Sequence, residues 1–349
     1  KGQVKISGSK NASLPILAAT LLSDKKISLT NIPRVKDVKT MIKLLESMGS
    51  KVKVLKNKNS LIIKNDKIIK AEASYDLMST MRAGIIVLGP LLARFGKARA
   101  SIPGGCNLGF RPIDIHLEAL KKMGVKYKLV DGYINAKAKN GLVGAKIKFP
   151  KISVGATENL MIAACLAKGQ TVLSNCAIEP EIKDLSNFLC SIGAKIVWTG
   201  RRQVKIIGVK TFKQSNYKIM FDRIEAGTML IAGAINQGNL KITGIESSIL
   251  ETEIDLLKKI GAKINQKKNE IIIKGNKKIK NINIKTSPYP GVATDIQAQL
   301  MVLLCKANKR STIKEDIFEN RFQSIPELKR MNAKIEVKGN QAIIEGNTI

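Results

Sequence analysis

Cys106 stands in a setting that suits a reactive thiol. It follows two glycines and precedes Arg111 by five residues, within residues 101–116. Of the other cysteines, three lie in apolar runs, where a thiol is usually a small buried group, and Cys176 lies in a loop-like stretch that leaves its role open. A cation near a thiol lowers its pKa and raises the thiolate fraction. Cys106 is therefore the candidate reactive group of the chain.

Charged side chains open several segments that are otherwise apolar. Lys10, with Asn11 beside it, and Arg82 each precede such a segment. A cation at a helix N-terminus opposes the helix dipole unless an anion binds between them, so these residues indicate a bound phosphate or carboxylate, with a solvated helix end as the alternative. Asp295 follows a loop stiffened by prolines and is either a functional carboxylate or an N-cap. Arg321 lies between aromatic residues and is either a binding group or part of a structural salt bridge.

The elements that must position these residues follow a repeat. A short amphipathic helix, a turn residue and a basic strand recur five times. The turn residues are Gly49, Gly124, Gly193, Gly261 and Asn332, at intervals of 75, 69, 68 and 71 residues. Glycine, and after it asparagine, tolerates the left-handed conformation that ends a helix. A nearly continuous apolar segment precedes each copy, and helices that are apolar all round are buried.

The repeat predicts an α/β protein with two domains of similar build. Units of about 70 residues, three to a domain, place the first domain at residues 12–220 and the second at residues 1–11 and 221–349. Because five units are present, we expect a sixth beyond Ile349, in a longer parent protein rather than a naturally short or decayed one. The first residue is Lys1 rather than Met, which suggests a trimmed N-terminus.

Composition narrows the classes of function. Lys and Arg exceed Asp and Glu by 33, but aromatic residues make up only 4% and no basic stripe interleaves with them, so nucleic-acid binding remains only an alternative that rests on charge. No window reaches the about 18 apolar residues of a membrane span. An odd count of five cysteines and the lack of an export signal predict the cytoplasm. With one histidine and no CxxC pair, we expect no metal and no cofactor.

Taken together, the motifs resemble those of an enolpyruvyl transferase family, the UDP-N-acetylglucosamine 1-carboxyvinyltransferases. They are Gly8-Ser-Lys-Asn11, Met81-Arg-Ala83, Pro103-Gly-Gly-Cys-Asn-Leu-Gly-Phe-Arg-Pro-Ile-Asp114, Ser153-Val-Gly-Ala-Thr157, Pro290-Gly-Val-Ala-Thr-Asp295 and Glu319-Asn-Arg-Phe322. The resemblance covers nearly the whole chain and implies two inside-out α/β barrels, each with helices in its core. A related enzyme, 5-enolpyruvylshikimate-3-phosphate synthase, lacks the Gly-Gly-Cys loop and is the second interpretation.

The resemblance also implies a reaction. The enolpyruvyl group of phosphoenolpyruvate is transferred to the 3'-hydroxyl of UDP-N-acetylglucosamine with release of phosphate, which is the first committed step of peptidoglycan synthesis. By resemblance, Cys106 protonates the enol carbon or carries the pyruvyl phosphate covalently, and Asp295 is the base. The inhibitor fosfomycin, an epoxide phosphonate, would alkylate Cys106. An inactive remnant of this enzyme is a further alternative.

Substrate binding is likewise implied by the resemblance. The matching positions are Lys10, Asn11, Arg82, Arg111, Pro112, Ile113, Asp114, Ile115, Ser153, Val154, Gly155, Ile317 and Arg321. Lys10, Arg82 and Arg111 match residues that hold the phosphate of phosphoenolpyruvate, and the segments from Arg111 and from Ser153 match those that bind the uridine diphosphate. His116 is either structural or a neighbour of the uridine. The expected partners are these two small molecules, without nucleic acid or membrane, for a monomer or weak oligomer.

Overall fold

The chain folds into two compact units. The structure, a computed structural model, describes residues 1–55, 59–68, 70–102, 104 and 113–347. The N-terminal unit comprises the described residues from Gly8 to Met220, and the C-terminal unit combines Lys1–Ser7 with the chain from Phe221 onwards. Lys10 and Asn11 belong to the N-terminal unit by this division, whereas the sequence expectation placed the boundary after Asn11.

Helices and strands alternate in both units. The α-helices are α1 (Lys10–Ala19), α2 (Lys36–Ser47), α3 (Tyr75–Met78), α4 (Leu88–Phe95), α5 (Asp114–Lys122), α6 (Val154–Ala164), α7 (Pro180–Ser191), α8 (Arg223–Ile235), α9 (Glu251–Ile260), α10 (Gln297–Cys305) and α11 (Ile325–Arg330). Short 3-10 helices are Thr20–Leu22, Arg82–Val87, Ser247–Leu250 and Thr294–Ile296. The strands are β1 (Gly2–Lys5), β2 (Ile27–Thr30), β3 (Lys51–Leu55), β4 (Ser60–Lys64), β5 (Glu72–Ala73), β6 (Lys97–Ser101), β7 (Lys126–Val130), β8 (Tyr133–Lys137), β9 (Lys146–Lys148), β10 (Gln170–Ser174), β11 (Lys195–Gly200), β12 (Gln203–Ile207), β13 (Ser215–Lys218), β14 (Asn239–Thr243), β15 (Lys263–Lys267), β16 (Glu270–Lys274), β17 (Asn283–Lys285), β18 (Ser311–Lys314), β19 (Ile335–Lys338) and β20 (Gln341–Ile344).

Each copy of the repeat contributes to one four-stranded sheet. In the described part of the N-terminal unit the strand orders are β13-β2-β4-β3, β5-β6-β8-β7 and β9-β10-β12-β11, and in that of the C-terminal unit β1-β14-β16-β15 and β17-β18-β20-β19. In every sheet the first strand runs parallel to the second, and the last two strands form an antiparallel hairpin on it, as β17, β18, β20 and β19 do. The predicted mixed α/β fold is confirmed.

The residues that end the amphipathic helices have the predicted backbone. The four glycines and Asn332 of the repeat have φ between 68° and 110°, inside the left-handed region. Glycine reaches this region without steric cost, and asparagine at a smaller cost than other side chains. The chain can therefore turn directly from each amphipathic helix into the strand that follows.

The apolar segments form the buried helices that the sequence predicted. Residues 12–19 of α1 and 156–164 of α6 are all buried, so beyond their first two residues these helices have no solvent face. In the N-terminal unit α1 packs against α2 and α7, and α4 packs against α6. The segment after Arg82 departs from the expected single helix, because it forms a 3-10 helix before α4 begins. None of the described helices has the length and apolar character needed to cross a membrane.

Candidate functional site

The Gly-Ser-Lys-Asn motif forms the start of α1 in the N-terminal unit. Ser9 caps the helix, with its Oγ accepting a hydrogen bond from the backbone N–H of Ala12 at 3.2 Å. A Cβ on Gly8 would lie 1.6 Å from the carbonyl oxygen of Asn31, so only glycine fits this close approach. Lys10 follows the cap, and its Nζ lies 3.4 Å from Oδ2 of Asp37, with both side chains about two-fifths exposed. The motif thus presents a cation at a capped helix N-terminus, as predicted.

Arg82 lies close to the one histidine of the chain. It is half-buried and is the first residue of its 3-10 helix. The pKa of His116 is lowered to about 4, mainly by burial and also by the charge of Arg82, while Asp114 acts in the opposite direction. The imidazole is therefore neutral near pH 7, and its Nδ1 lies 3.0 Å from Nδ2 of Asn159.

Residues 153–155 form the N-terminus of α6 beside this histidine. Ser153 is the N-cap, and its Oγ accepts from the backbone N–H of Ala156 at 3.3 Å. Val154 is an apolar side chain left 39% exposed at a helix start. A Cβ added to Gly155 would lie 3.4 Å from Cε1 of His116, so the edge of the imidazole lies beside this turn.

The segment that precedes His116 starts α5. Ile113 is at the N-cap position, Asp114 is the exposed first residue and Ile115 is buried. Helix α5 packs against α6, and both α6 and α1 pack against the 3-10 helix of Arg82. The elements that start with or follow the predicted binding residues therefore pack against one another in the N-terminal unit; these residues are Lys10, Asn11, Arg82, Ile113, Asp114, Ile115, Ser153, Val154 and Gly155.

Three predicted residues, Cys106, Arg111 and Pro112, lie outside the described residues. The chain before them is described up to Ile102 and again at Gly104, whose backbone N–H donates to the carbonyl oxygen of Met78 at 3.3 Å. A Cβ on Gly104 would lie 2.9 Å from the carbonyl oxygen of residue 79, three positions before Arg82 in the chain.

The C-terminal unit pairs Asp295 with Arg321. Asp295 lies inside the 3-10 helix Thr294–Ile296, so it is not the N-cap that the sequence left open. Its Oδ1 accepts from a terminal nitrogen of Arg321 at 2.5 Å, and Nε of Arg321 donates to the carbonyl oxygen of Thr294 at 3.2 Å. The side chain of Arg321 is 16% exposed and that of Asp295 40% exposed. A nearly buried guanidinium thus orients a carboxylate that remains accessible.

Glu315 connects this pair to Ile317. Its Oε1 accepts from the backbone N–H groups of Ile317 at 2.8 Å and Phe318 at 3.1 Å, and its Oε2 accepts from the hydroxyl of Thr294 at 2.8 Å. The residue is 3% exposed. The buried Glu315 carboxylate therefore links the loop of Ile317 to Thr294, the residue before Asp295.

No group of three His, Cys, Asp or Glu side chains within the described ranges is arranged to hold a metal ion. In the described parts of the two units, an anion can bind to Lys and Arg side chains and to helix N-termini.

Residues 1–349 match the model of the family described as EPSP synthase (3-phosphoshikimate 1-carboxyvinyltransferase). The chain belongs to the EPSP synthase family. It is 69% identical over 347 residues to the UDP-N-acetylglucosamine 1-carboxyvinyltransferase of Pelagibacter ubique (strain HTCC1062), covering 99% of this chain and 83% of that protein. The protein of the same name from Trichlorobacter lovleyi is 48% identical over 346 residues, with 99% and 82% covered.

A solved structure has the same fold as this EPSP synthase family member. The crystal structure of the enolpyruvyl transferase NikO from Streptomyces tendae has a TM-score of 0.90 to this chain, at 22% identity, and covers 99% of this chain and 82% of that one. This likeness confirms the fold. The resemblance inferred from the motifs is confirmed as well, while the inside-out arrangement of the helices stays a prediction.

The sequence motifs of this EPSP synthase family member did not indicate two of its buried hydrogen-bonding residues. Glu315 and Asn159 are buried and act through hydrogen bonds to distant parts of the chain. The sequence gives only weak signals for them: Glu315 stands two positions before Ile317, and Asn159 ends the short polar stretch before the apolar run that starts at Leu160.

Proposed function

We propose that the chain transfers the enolpyruvyl group of phosphoenolpyruvate to the 3'-hydroxyl of UDP-N-acetylglucosamine and releases phosphate. The observation that carries the proposal is its 69% identity, over 99% of its length, to a protein of that name. The paired Asp295 and Arg321 and the cations of the N-terminal unit are the groups such a reaction needs. In a cell that builds peptidoglycan, this is the first committed step.

Phosphoenolpyruvate binding is assigned to Lys10, Arg82 and Arg111. The Lys10–Asp37 ion pair is exposed, and exposed pairs of this kind contribute only about 0–1 kcal/mol. A phosphate group, with more charge than a carboxylate, can therefore replace Asp37 at little cost. Once bound, these cations stabilise the charge that develops as the tetrahedral intermediate forms.

UDP-N-acetylglucosamine binding is assigned to residues 113–115, Ser153–Gly155 and Ile317. In the N-terminal unit, residues 113–115 and Ser153–Gly155 lie next to the neutral His116 and present helix N-termini to a diphosphate. In the C-terminal unit Ile317 supplies an apolar contact, and Glu315 fixes its backbone. We assign Asn11 to contacts near the reacting carbon.

The proton transfers are assigned to Asp295 and Cys106. The 3'-hydroxyl attacks C2 of phosphoenolpyruvate and gives its proton to the Asp295 carboxylate, while the Cys106 thiol protonates C3. Loss of phosphate from C2 and of one proton from C3 then restores the double bond. Arg321 keeps the Asp295 carboxylate in one orientation, so the base does not have to be ordered at the moment of reaction.

The cellular location, the assembly state and the kind of ligand belong to the same proposal. We place the chain in the cytoplasm, as a monomer or weak oligomer that acts on small molecules without cofactor or nucleic acid. The cysteines within the described ranges, Cys165, Cys176, Cys190 and Cys305, form no disulfide with one another, which fits a reducing compartment.

Phosphate release tests the proposal. The purified chain should release phosphate only when both phosphoenolpyruvate and UDP-N-acetylglucosamine are present, and replacing the nucleotide sugar by shikimate 3-phosphate should abolish release. Release with shikimate 3-phosphate would instead favour the second interpretation, and binding of the nucleotide sugar without any release would favour an inactive remnant.

Fosfomycin tests the assignment of Cys106. Mass spectrometry should find one adduct, on the peptide that contains Cys106. The Cys106→Asp variant should not be labelled, whereas a Cys190→Ser variant, which removes an exposed thiol elsewhere, should be labelled normally. Turnover retained in Cys106→Asp would favour proton donation over obligatory covalency, and an adduct on another cysteine would contradict the assignment.

A further inference from the structure

Asn159 joins three segments of the N-terminal unit. It lies in α6 with no exposed surface. Its Oδ1 accepts from the backbone N–H of Gly89 at 2.7 Å, and its Nδ2 lies 3.3 Å from the carbonyl oxygen of Ile85 and 3.0 Å from Nδ1 of His116. A Cβ on Gly89 would lie 2.2 Å from Oδ1, so a glycine is required for this approach.

These contacts fix which way the amide points. The backbone N–H of Gly89 can only donate, so the Asn159 atom it meets must be the carbonyl oxygen. The amide nitrogen then faces Ile85 and His116, and its two hydrogens can serve the carbonyl oxygen and Nδ1 together. The orientation follows from a backbone donor and does not depend on the protonation of the histidine.

The amide in turn fixes the proton on the imidazole. Nδ1 of His116 accepts from Asn159, so a neutral ring must carry its proton on Nε2. Burial and the charge of Arg82 lower the pKa of His116 to about 4, which keeps the ring neutral at the pH of the cytoplasm.

The protonated nitrogen faces the turn at the start of α6. A Cβ on Gly155 would lie 3.5 Å from Nε2 of His116. Within the described ranges Nε2 forms no hydrogen bond, whereas Nδ1 does. The N–H of a neutral imidazole is thus held at the edge of the Ser153–Gly155 turn.

We propose that Asn159 is a positioning residue that locks His116 in the Nε2–H tautomer, so that this N–H donates to an acceptor oxygen of the nucleotide sugar. The inference rests on the proposed function for the identity of the ligand. The tautomer itself is a property of the free protein and can be measured without it.

Nuclear magnetic resonance gives a direct test, because His116 is the only histidine in the chain. In protein labelled with 15N-histidine, Nε2 should carry the proton and Nδ1 should not, from about pH 8 down to about pH 5. UDP-N-acetylglucosamine added without phosphoenolpyruvate should shift the Nε2–H resonance. A proton on Nδ1, or titration near the ordinary histidine pKa, overturns the inference, as does nucleotide-sugar binding that leaves Nε2–H unchanged.

Substitutions separate positioning from packing. Asn159→Asp keeps the shape, but its carboxylate cannot donate to Nδ1, so the proton should move to Nδ1 and the Kd for UDP-N-acetylglucosamine should rise about tenfold. The same change at Asn175, in a loop of the same unit, is the control and should alter neither. Unchanged imidazole resonances in Asn159→Asp would overturn the inference, and the wild-type spectrum decides it if this variant fails to fold.

A second pair of variants tests the donor itself. The amide nitrogen of glutamine reaches the place of Nε2, and that of asparagine does not. The Kd of His116→Gln for the nucleotide sugar should therefore stay within about threefold of wild type, whereas that of His116→Asn should rise about tenfold. Equal loss in both would contradict the donor role. If the wild-type chain does not bind UDP-N-acetylglucosamine at all, the proposed function fails, while the tautomer in the free protein still tests Asn159.

Discussion

His116 should make the N-terminal unit sensitive to acid. Its pKa is lowered from 6.5 to about 4, so between these values the unfolded chain binds a proton that the folded chain does not. Its contribution to stability is therefore complete above about pH 6.5 and is lost as the pH falls towards about 4. Linkage gives a loss on the order of 2 kcal/mol between about pH 7.5 and about pH 5.

The variant His116→Gln isolates this contribution, because glutamine does not titrate. Other buried groups act in the opposite direction: burial raises the pKa of Glu158 well above its usual range and that of Asp184 above its ordinary value, so their contributions are lost as the pH rises. They are common to both proteins and cancel in the difference. The gap in unfolding free energy between wild type and variant should thus shrink in acid by the amount contributed by His116.

Fluorescence of Trp198 is a suitable probe for the measurement. It is the only tryptophan of the chain and lies half-buried on β11, in the same unit as His116. Urea unfolding at several pH values gives the free energy for each protein. A gap between wild type and His116→Gln that is the same at about pH 7.5 and about pH 5 would refute the argument that the folded chain holds this ring neutral.

Further substitutions test the other contacts. Glu315→Gln should lower the unfolding free energy by about 2 kcal/mol and raise KM for the nucleotide sugar, because an amide nitrogen cannot accept from the donors that Glu315 holds. Asp316→Asn, a change at the adjacent surface ion pair, should cost less than about 1 kcal/mol in urea titrations and leave KM unchanged in steady-state kinetics. Equal effects of the two variants would contradict the role of Glu315. Gly8→Ala should lower the unfolding free energy, measured by urea unfolding, by about 1–3 kcal/mol, because its Cβ would overlap the backbone carbonyl oxygen of Asn31. A variant as stable as wild type would show that the backbone at Asn31 moves away freely. Arg321→Lys should reduce kcat/KM about tenfold, because an ammonium cannot reproduce the forked contact with Asp295 and a backbone carbonyl; an unchanged value would remove Arg321 from the site.

Local features of this fold could be predicted from the sequence because their causes are local. A glycine or Asn332 after an amphipathic helix is enough to indicate the left-handed turn, and the structure confirms all five such turns. An uninterrupted apolar segment is enough to indicate a buried helix, as α1 and α6 show. The 3-10 start of the Arg82 segment was missed, because the apolar pattern does not distinguish it from an α-helix.

The candidate site was harder to predict, because its contacts join residues far apart in the chain. Asp295 and Arg321 were each predicted as site residues, but their hydrogen bond joins residues 26 positions apart, and no spacing pattern in the sequence indicates it. The contact between Asn159 and His116 joins residues 43 positions apart, and in the sequence Asn159 looks like one more polar residue at the start of a helix. Motifs indicated the candidate residues for chemistry, whereas the side chains that orient them can be identified only from the packing.

The order of the strands has a consequence for how the chain is made. Strand β1 pairs with β14, while β13 returns to pair with β2, so the whole N-terminal unit is an insertion between the first strand of the C-terminal unit and its partner. During synthesis the N-terminal unit can close its own sheets as soon as β13 has emerged from the ribosome. Strand β1 is translated before β14 and cannot form this pairing until more than 230 further residues have been added and β14 appears. A nascent chain stalled before that point would expose a strand without a partner, which is where binding by a chaperone would be of most use.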